Sequence, residues 1–432
     1  MYSSMCLRYL MAKSVLMLII TFSVVGMLYV NAMPLVKDND LVVEELVTDI
    51  CCRPTGMVFL GDDILVIEQE NGKVRLVRNG ILKEEPILDL NVRGIREQGL
   101  LGITAVDNKV YLYFTESTHD GGEAIANRVY RFDWTGEKLE NQTLIKELPG
   151  KTPYHNGGAM VSGLDGTVYA VIGDQGVYGV LQNHKVGGKD DTSVILRIDP
   201  AGPYYAMGIR NSFGLAIDPF NGNLWDTENG DDDFDEINFV QPNFNSGWDV
   251  IMGPASEDEL SKLPGYDGYV YSDPEFSWQR VVAPTSISFV KSKPLENYNN
   301  SVFVGDCISG NLYKFELNQD RTGFVFDNPA LSDNVVNVGE SLDEIIFGTG
   351  FDCITDIEIG PDGLIYVVSR SHDSIYKIIP KSMIIQSEKE IDVSDLNFPV
   401  EYTAYTIIAV LVIAGIVIYI KKTKVRNESI PP

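Results

Sequence analysis

Basic residues are scarce in this sequence, and acidic residues outnumber them. Lysine and arginine total 34 against 61 aspartates and glutamates, which gives a net charge of −27 at pH 7 over 432 residues. A surface of this sign repels the phosphates of nucleic acids. The charge therefore argues against a nucleic-acid partner and agrees with a soluble, outward-facing domain.

Cysteine is scarce as well, and the cysteines lack the spacing of a metal site. The chain has five, with no CxxC or Cys/His pattern of the kind that binds zinc. Cys6 lies near the N-terminus, and the other four are Cys51, Cys52, Cys307 and Cys353. An even number of cysteines fits disulfide bonds in an oxidising compartment. Cys51 and Cys52 are adjacent and could pair with each other only with strain.

Runs of helix-favouring residues are also few, and short strand patterns take their place. One pattern recurs: an apolar-alternating strand, a tight turn, and a second strand rich in Tyr, Val and Leu. It spans residues 56–68, 99–116, 158–173, 213–228, 285–317 and 354–369. The clearest turns are typical of hairpins and read Asp165-Gly166, Asn221-Gly222 and Asp362-Gly363.

A spacing of about 40 to 60 residues between such units favours a β-propeller, whose blades are four-stranded antiparallel sheets. We therefore predict an all-β fold with a six-bladed β-propeller over residues 41–380. A β-sandwich would also have many short strands, but not this repeated pattern. Residues 41–50 read as an extra strand that pairs with the last blade and closes the ring.

Apolar segments flank the predicted propeller on both sides. Arg8 and Lys13 precede an apolar run at residues 14–30. This arrangement indicates a signal peptide over residues 1–32, with an uncleaved anchor as the alternative. The second apolar run, at residues 402–420, is about long enough to span a bilayer as a helix.

The residues around the second apolar run predict its orientation. Lysines and an arginine follow it within residues 421–432, and basic residues stay on the cytoplasmic side of a membrane. Residues 381–398 are polar and charged and read as a stalk. The sequence thus predicts a single-pass cell-membrane protein with its propeller on the extracellular side.

The segment at residues 208–248 combines two kinds of polar group. It begins near an Arg-Asn pair, Arg210 and Asn211, and continues into an acidic loop. The acidic residues are Glu228, Asp231, Asp232, Asp233, Asp235 and Glu236. Clustered carboxylates and backbone carbonyls suit Ca²⁺, whereas a guanidinium suits an anionic or quinone oxygen. The alternative is a solvated acidic hairpin loop.

Several motifs in order along the chain carry a resemblance to a known family. They are EQGLLG from Glu97, His155 before Gly157-Gly158, YAVIGDQG from Tyr169, ILRIDP from Ile195, and the segment at residues 208–248. Together these residues resemble the glucose/sorbosone dehydrogenase family, which includes soluble aldose sugar dehydrogenases dependent on pyrroloquinoline quinone (PQQ). The resemblance covers residues 47–379.

The resemblance implies roles for particular residues. His155 would be the general base that takes the proton of the hydroxyl group on the anomeric carbon of a sugar. Arg210 would stabilise charge on the reduced quinone, with Gln98 and Asn211 as further cofactor-binding residues. The carbonyl groups of Gly230 and Asp231 would hold a Ca²⁺ that also binds PQQ.

The sequence departs from the family where PQQ carboxylates should bind. The family has a Lys in the fifth blade and an Arg-x-Arg pair in the sixth, but Cys307, Cys353 and Thr355 occupy the matching positions. The resemblance places both cysteines beside the cofactor cavity, so we expect that they can form a disulfide. Candidates for replacement cations are Lys185, Lys189 and Arg280.

The function predicted first is that of an outward-facing oxidoreductase. It would oxidise the anomeric hydroxyl of an aldose to a lactone, with hydride transfer to PQQ and an unidentified electron acceptor. One alternative is a non-catalytic propeller that binds a glycan or a protein. Another is a Ca²⁺-dependent hydrolase such as a lactonase, because the fold alone does not determine the chemistry.

Overall fold

A computed structural model describes residues 33–176, 190–265 and 268–384. The predicted signal peptide at 1–32, membrane helix at 402–420 and basic tail at 421–432 lie outside these residues. Of the predicted stalk, only residues 381–384 are described, and they are helical. Within the described part of the chain, no helix is long and apolar enough to cross a membrane.

The described strands form six sheets, which are numbered here by their order along the chain. Sheet 1 contains Pro54–Leu60, Asp63–Glu68, Lys73–Arg78, Ile81–Leu82 and Leu88–Asp89. Sheet 2 contains Leu100–Val106, Lys109–Ser117, Ala124–Trp134 and Leu139–Leu148. Sheet 3 contains Met160–Ser162, Val168–Ile172, Val194–Asp199, Tyr204–Met207, Phe244–Asn245 and Val270–Tyr271.

The other three sheets come from the second half of the chain and its N-terminal strands. Sheet 4 contains Ser212–Ile217, Leu224–Glu228, Asp233–Val240, Phe276–Arg280 and Val335–Val336. Sheet 5 contains Pro284–Phe289, Ser301–Asp306, Leu312–Leu317, Phe324–Val325, Ile346–Thr349 and Leu35–Val36. Sheet 6 contains Ile354–Ile359, Ile365–Ser369, Ser374–Pro380 and Leu41–Val47. An α-helix at Glu257–Lys262 and 3₁₀ turns at Glu296–Tyr298 and Pro329–Leu331 lie between strands.

Each sheet has one innermost strand, and these six strands contact one another in a closed ring. The ring runs through Pro54–Leu60, Leu100–Val106, Met160–Ser162, Ser212–Ile217, Pro284–Phe289 and Ile354–Ile359, then returns to the first. The prediction of an all-β, propeller-like arrangement is confirmed. Leu41–Val47 pairs antiparallel with Ser374–Pro380, so a strand from the N-terminal side completes the last sheet, as predicted.

Burial explains the sequence pattern of each sheet. In sheet 2 the second strand, Lys109–Ser117, is buried on both faces and reads KVYLYFTES, whereas the outer strand, Leu139–Leu148, is mostly exposed. Apolar side chains of neighbouring sheets form shared cores, such as the one that joins Trp225 and Trp278 of sheet 4 to Phe315 of sheet 5. Full burial of such a side chain contributes about 1.5–3 kcal/mol.

The hairpin turns lie where the sequence predicted them. Met160–Ser162 pairs antiparallel with Val168–Ile172 around the Asp165-Gly166 turn. Gly166 has a φ of +80°, a conformation that glycine adopts without steric cost. The N-terminal ends of the innermost strands lie opposite these turns. The loops that lead into these strands surround the mouth of the central hollow.

Candidate active site

The central hollow contains a cavity of about 390 Å³ at the end where the innermost strands begin. One residue at or just before the start of each inner strand lines its wall, and these residues are Thr55, Leu101, Ala159, Phe213, Thr285 and Thr355. Residues from the entering loops complete the lining, among them His155, Arg210 and Asn211. The predicted imidazole and guanidinium therefore lie in one axial cavity.

His155 is held by a buried carboxylate. Its Nδ1 lies 2.5 Å from Oδ1 of Asp174, a side chain that is 1% exposed. The indole of Trp248 donates to the other oxygen of Asp174 at 2.7 Å, and the backbone N–H of Gly176 donates to Oδ1. Burial opposes ionisation of Asp174, but the bonds from His155 and Trp248 outweigh it and lower the pKa of the carboxyl.

The ionised Asp174 fixes the tautomer of His155. A carboxylate can only accept hydrogen bonds, so Nδ1 of the imidazole must carry the proton. The lone pair is then on Nε2, the ring nitrogen not engaged by Asp174. The backbone of His155 has a φ of +53° and its N–H donates to Glu97 Oε2 at 2.6 Å, which holds the residue at the cavity wall.

Glu97, which accepts from the His155 backbone, also positions Asn211. Its Nδ2 donates to Glu97 Oε2 at 3.1 Å, so Glu97 connects His155 to Asn211. Oδ1 of Asn211 is buried and has no hydrogen-bond partner within the described residues. A buried unsatisfied acceptor costs about 1–3 kcal/mol, which a bound ligand with a donor group would recover.

Arg210 is 8% exposed and is fixed on several sides. Its NH1 donates to the carbonyl of Asn229 at 2.9 Å, its NH2 donates to Asp231 at 2.6 Å, and its guanidinium lies 5.2 Å from the ring centroid of Trp248. Nε of Arg210 is buried without a partner in the described structure. The cation therefore keeps a donor for an anionic or quinone oxygen.

The loop at Gly230 and Asp231 offers backbone carbonyl groups rather than a carboxylate cage. Neither carbonyl oxygen accepts a backbone hydrogen bond from the described residues. A Cβ at Gly230 would lie 2.0 Å from the Phe234 carbonyl oxygen, so the tight loop requires glycine there. Unpaired carbonyl oxygens are ligands that suit Ca²⁺, and this donor set fits the predicted metal.

The acidic residues of this segment divide into two groups. Asp231, Asp232 and Asp233 are exposed, as the solvated-loop alternative expected. Asp235 is instead structural, because it accepts backbone N–H groups from Gly230, Val282 and Ala283. Among the described residues, the ligand atoms of Cys51, Cys52 and Glu68 lie within 4.8 Å of one another, but the two cysteines are joined by a disulfide and offer no thiolate to a metal ion.

Two predicted site residues are not brought to the cavity. Gln98 is 1% exposed, and its side chain donates to the carbonyl of Gly150 at 2.7 Å, so it supports a loop rather than lining the cavity. Arg280 is exposed at the end of its strand and does not line the cavity. Lys185 and Lys189 lie outside the described residues.

Disulfides join all four cysteines of the described residues. One links Cys307 with Cys353, which places the bond at the cavity mouth between sheets 5 and 6. The other links the adjacent residues Cys51 and Cys52. An uncharged cystine therefore occupies positions at which the resemblance implied cations.

Sequence reasoning missed several residues that the structure places at this site. Glu97 and Asp174 lie inside the EQGLLG and YAVIGDQG motifs, so those motifs could have indicated them. Gln69, Arg96 and Arg370 also line the cavity. No spacing pattern marks these three, since each comes from a different loop.

Comparison with known proteins identifies the family. The sequence profile described as Glucose / Sorbosone dehydrogenase matches residues 51–377. The chain belongs to this family. Its members are oxidoreductases of the aldose and glucose dehydrogenase type, and PQQ-bound structures are known among its relatives.

Two similar proteins of known sequence match the chain over different lengths. The aldose sugar dehydrogenase YliI of Escherichia coli K12 is 24% identical over 363 residues, which span 78% of this chain and 93% of that protein. The quinoprotein glucose dehydrogenase B of Acinetobacter calcoaceticus is 28% identical over 230 residues, with 44% of this chain and 46% of that protein covered.

Solved structures of similar proteins share the fold. The PQQ-bound aldose sugar dehydrogenase of Streptomyces coelicolor aligns with a TM-score of 0.59 at 23% identity, covering 80% of this chain and 99% of that one. The apo aldose sugar dehydrogenase of Escherichia coli aligns with a TM-score of 0.62 at 20% identity, covering 79% and 100%.

Proposed function

We propose that this protein oxidises the anomeric hydroxyl of an aldose to a lactone, with PQQ as the hydride acceptor and Ca²⁺ beside it. The observation that carries the proposal is the imidazole of His155, oriented by Asp174 in an axial cavity that also holds Arg210 and Asn211. PQQ, when bound, supplies an electrophilic quinone carbon that accepts hydride. The carbonyl groups of Gly230 and Asp231 would hold the metal ion.

Residues of the chain would accept the proton of the anomeric hydroxyl and stabilise the charges that develop. Nε2 of His155 takes the proton of the anomeric hydroxyl while the hydride leaves the same carbon, so the sugar loses two electrons and two hydrogens as the lactone forms. The imidazolium that results is stabilised by the carboxylate of Asp174. Arg210 offers a hydrogen bond to an oxygen on which negative charge develops, and Asn211 offers the second N–H of its Nδ2, whose other N–H donates to Glu97.

Purified full-length protein in detergent tests the proposal. We expect it to reduce a dichlorophenolindophenol dye with at least one member of an aldose panel after loading with PQQ and Ca²⁺. His155→Ala should lower kcat by about 10²–10⁴-fold, because a general base contributes that much. His119→Ala is the matched control, since His119 is exposed and away from the cavity. Dye reduction that survives His155→Ala would contradict the assigned base.

The substitutions at Cys307, Cys353 and Thr355 favour a second candidate, a propeller that binds a glycan or protein without catalysis. Absence of PQQ uptake at micromolar concentration, with a folded protein, would favour that candidate. A lactonase-like hydrolase would instead release acid from a lactone without PQQ.

We also propose that the propeller faces the outside of the cell and is anchored by residues 402–420. The two disulfides support an oxidising compartment. Protease added to intact cells should degrade the propeller and spare an epitope placed after residue 432. Protection of the propeller would contradict this orientation.

A further inference from the structure

The mouth of the cavity is rich in arginine. An open region of about 830 Å³ leads out of the cavity, and its charged lining consists of three arginines and one carboxylate, namely Arg53, Arg96, Arg370 and Glu97. Cys307 and Cys353 lie on the same wall. Arg96 and Arg370 also line the cavity itself, so these two cations connect the interior with the entrance.

Arg370 lies beside the position from which the family cations are missing. Its backbone N–H donates to the carbonyl of Cys353 at 2.8 Å, and its NH2 donates to Oε1 of Gln69 at 3.0 Å. Burial lowers the pKa of Arg370 and the nearby Arg53 lowers it further, while the charges of Glu70 and Glu97 partly offset this effect. The guanidinium is therefore partly desolvated, and the described residues give it a neutral amide as its hydrogen-bond acceptor.

Arg96 is also left without an acidic partner. Its guanidinium lies 5.0 Å from the ring centroid of Tyr154. Arg53 forms an ion pair with Glu70 at 3.0 Å, whereas neither Arg96 nor Arg370 has a carboxylate at ion-pairing distance in the described residues. In a chain with 61 acidic residues and 34 basic ones, unpaired arginines that face a cavity are unexpected.

An anionic ligand would satisfy both arginines. A partly buried cation such as Arg370 costs free energy unless an anion and hydrogen bonds compensate it. The exposed Arg96 has no such cost, but its guanidinium can still bind a carboxylate with two parallel bonds. We propose that Arg96 and Arg370 bind carboxylate groups of the ligand in this cavity, in place of the cations that the family carries in sheets 5 and 6. This inference rests on the proposed function and names how that site holds an acidic molecule.

Carboxylates could reach this site from two sources, the cofactor or an acidic sugar. PQQ carries three carboxylates, and an aldouronate such as glucuronate carries one at the end away from the anomeric carbon. Both would present the same chemistry to Arg96 and Arg370. Separate arms of one binding experiment distinguish them.

The first arm measures PQQ affinity directly, by quenching of tryptophan fluorescence in the full-length protein with Ca²⁺ present. Trp248 lies beside Arg210 and reports on occupancy of the cavity. Arg370→Gln should raise the Kd for PQQ by about 10- to 100-fold, and Arg96→Gln, which is more exposed, by several-fold. Arg280→Gln removes the same charge from an exposed position outside the cavity and should leave the Kd unchanged.

An ester of PQQ tests whether the carboxylates are the groups recognised. The trimethyl ester has no negative charge, so wild-type protein should bind it more weakly than PQQ. The difference should shrink in Arg370→Gln, and Arg370→Lys should restore part of it, since lysine keeps the charge but not the fork. If Arg370→Gln does not fold, as judged by circular dichroism, the exposed Arg96→Gln carries the same comparison.

The second arm measures glucuronate against glucose by calorimetry. If the arginines bind the sugar, Arg370→Gln should weaken glucuronate binding and leave PQQ binding unchanged. If wild-type protein binds glucuronate but not PQQ, the proposed function fails while the anion site stands. If neither arginine variant alters binding of PQQ or glucuronate, or wild-type protein binds neither, the inference is overturned.

Discussion

At the scale of single residues, the site depends on the contact between Asp174 and His155. Asp174 is buried, ionised and bonded to three donors, so it can only hold the imidazole in one tautomer. It does not line the cavity, and its effect reaches the substrate through His155. Asp174 is thus a positioning residue.

Asp174→Asn should lower kcat by about 10²–10⁴-fold with little change in KM, because an amide can donate to Nδ1 and stabilise the wrong tautomer. The rate should depend on pH differently from wild type, since the carboxylate no longer stabilises the imidazolium. Steady-state kinetics over pH 5–9 measure both effects. An equal loss of activity at every pH, together with a lower melting temperature, would indicate a purely structural role instead.

At the scale of elements, paired strands bring acidic side chains together. Leu224–Glu228 lies antiparallel to Asp233–Val240 in sheet 4, with Glu228 opposite Glu236. Both side chains are buried, and Asp226 is buried on the same strand. Burial raises the pKa of Glu228 to about 7, although the N–H of Arg210 and the hydroxyl of Ser246 favour its ion.

This raised pKa makes stability depend on pH in a defined direction. Between about pH 4.5 and pH 7 the unfolded chain has released the Glu228 proton while the folded chain keeps it, so the free energy of unfolding falls as pH rises. The loss should reach about 3 kcal/mol. Glu228→Gln imitates the protonated acid and should flatten this part of the profile.

Urea unfolding of wild type and Glu228→Gln at pH 5 and pH 8 measures the effect. The variant should gain relative to wild type as pH rises. Glu140→Gln, an exposed change in sheet 2, should leave the profile parallel to wild type. Parallel profiles for Glu228→Gln would show that Glu228 has the same pKa in the folded and unfolded chains.

Elements also show what the sequence could and could not predict. Hairpins were predictable because a strand, a turn such as Asp165-Gly166 and a second strand are adjacent in the chain. His155, Arg210 and Asn211 were found because they lie within family motifs. Gln98 lies in such a motif too, yet its amide donates to the Gly150 carbonyl and not into the cavity. The direction of a side chain on a turn depends on local backbone dihedral angles, which the motif does not specify.

The arginines at the cavity mouth could not be predicted from the sequence, for a different reason. Arg53, Arg96 and Arg370 come from loops that are far apart in the chain and meet only because the ring closes. Loop geometry has no periodic signal in sequence, whereas strand burial has one. The sequence also suggested Arg280 as a replacement cation, but Arg280 lies at the exposed end of the strand Phe276–Arg280.

At the scale of the whole molecule, two closures hold the ring together. Leu41–Val47 joins the last sheet through backbone hydrogen bonds to Ser374–Pro380. The Cys307–Cys353 disulfide joins sheets 5 and 6 at the cavity mouth across a sequence separation of 46 residues. By contrast, the Cys51–Cys52 bond has a separation of one residue and closes almost no loop.

The two disulfides should therefore differ in what they contribute to stability. Cross-linking a loop of this length restricts the unfolded chain by about 4 kcal/mol in the chain-entropy account, and measured values are typically about 2–4 kcal/mol. Cys307→Ser with Cys353→Ser should lower the free energy of unfolding by that amount in denaturant titrations. Cys51→Ser with Cys52→Ser is the matched control. It should lower the free energy of unfolding by less, because this bond removes little conformational entropy from the unfolded chain. Peptide mass spectrometry without reduction must also show the Cys307–Cys353 link; free thiols there, or equal costs for the two double variants, would contradict this account of how the ring is stabilised.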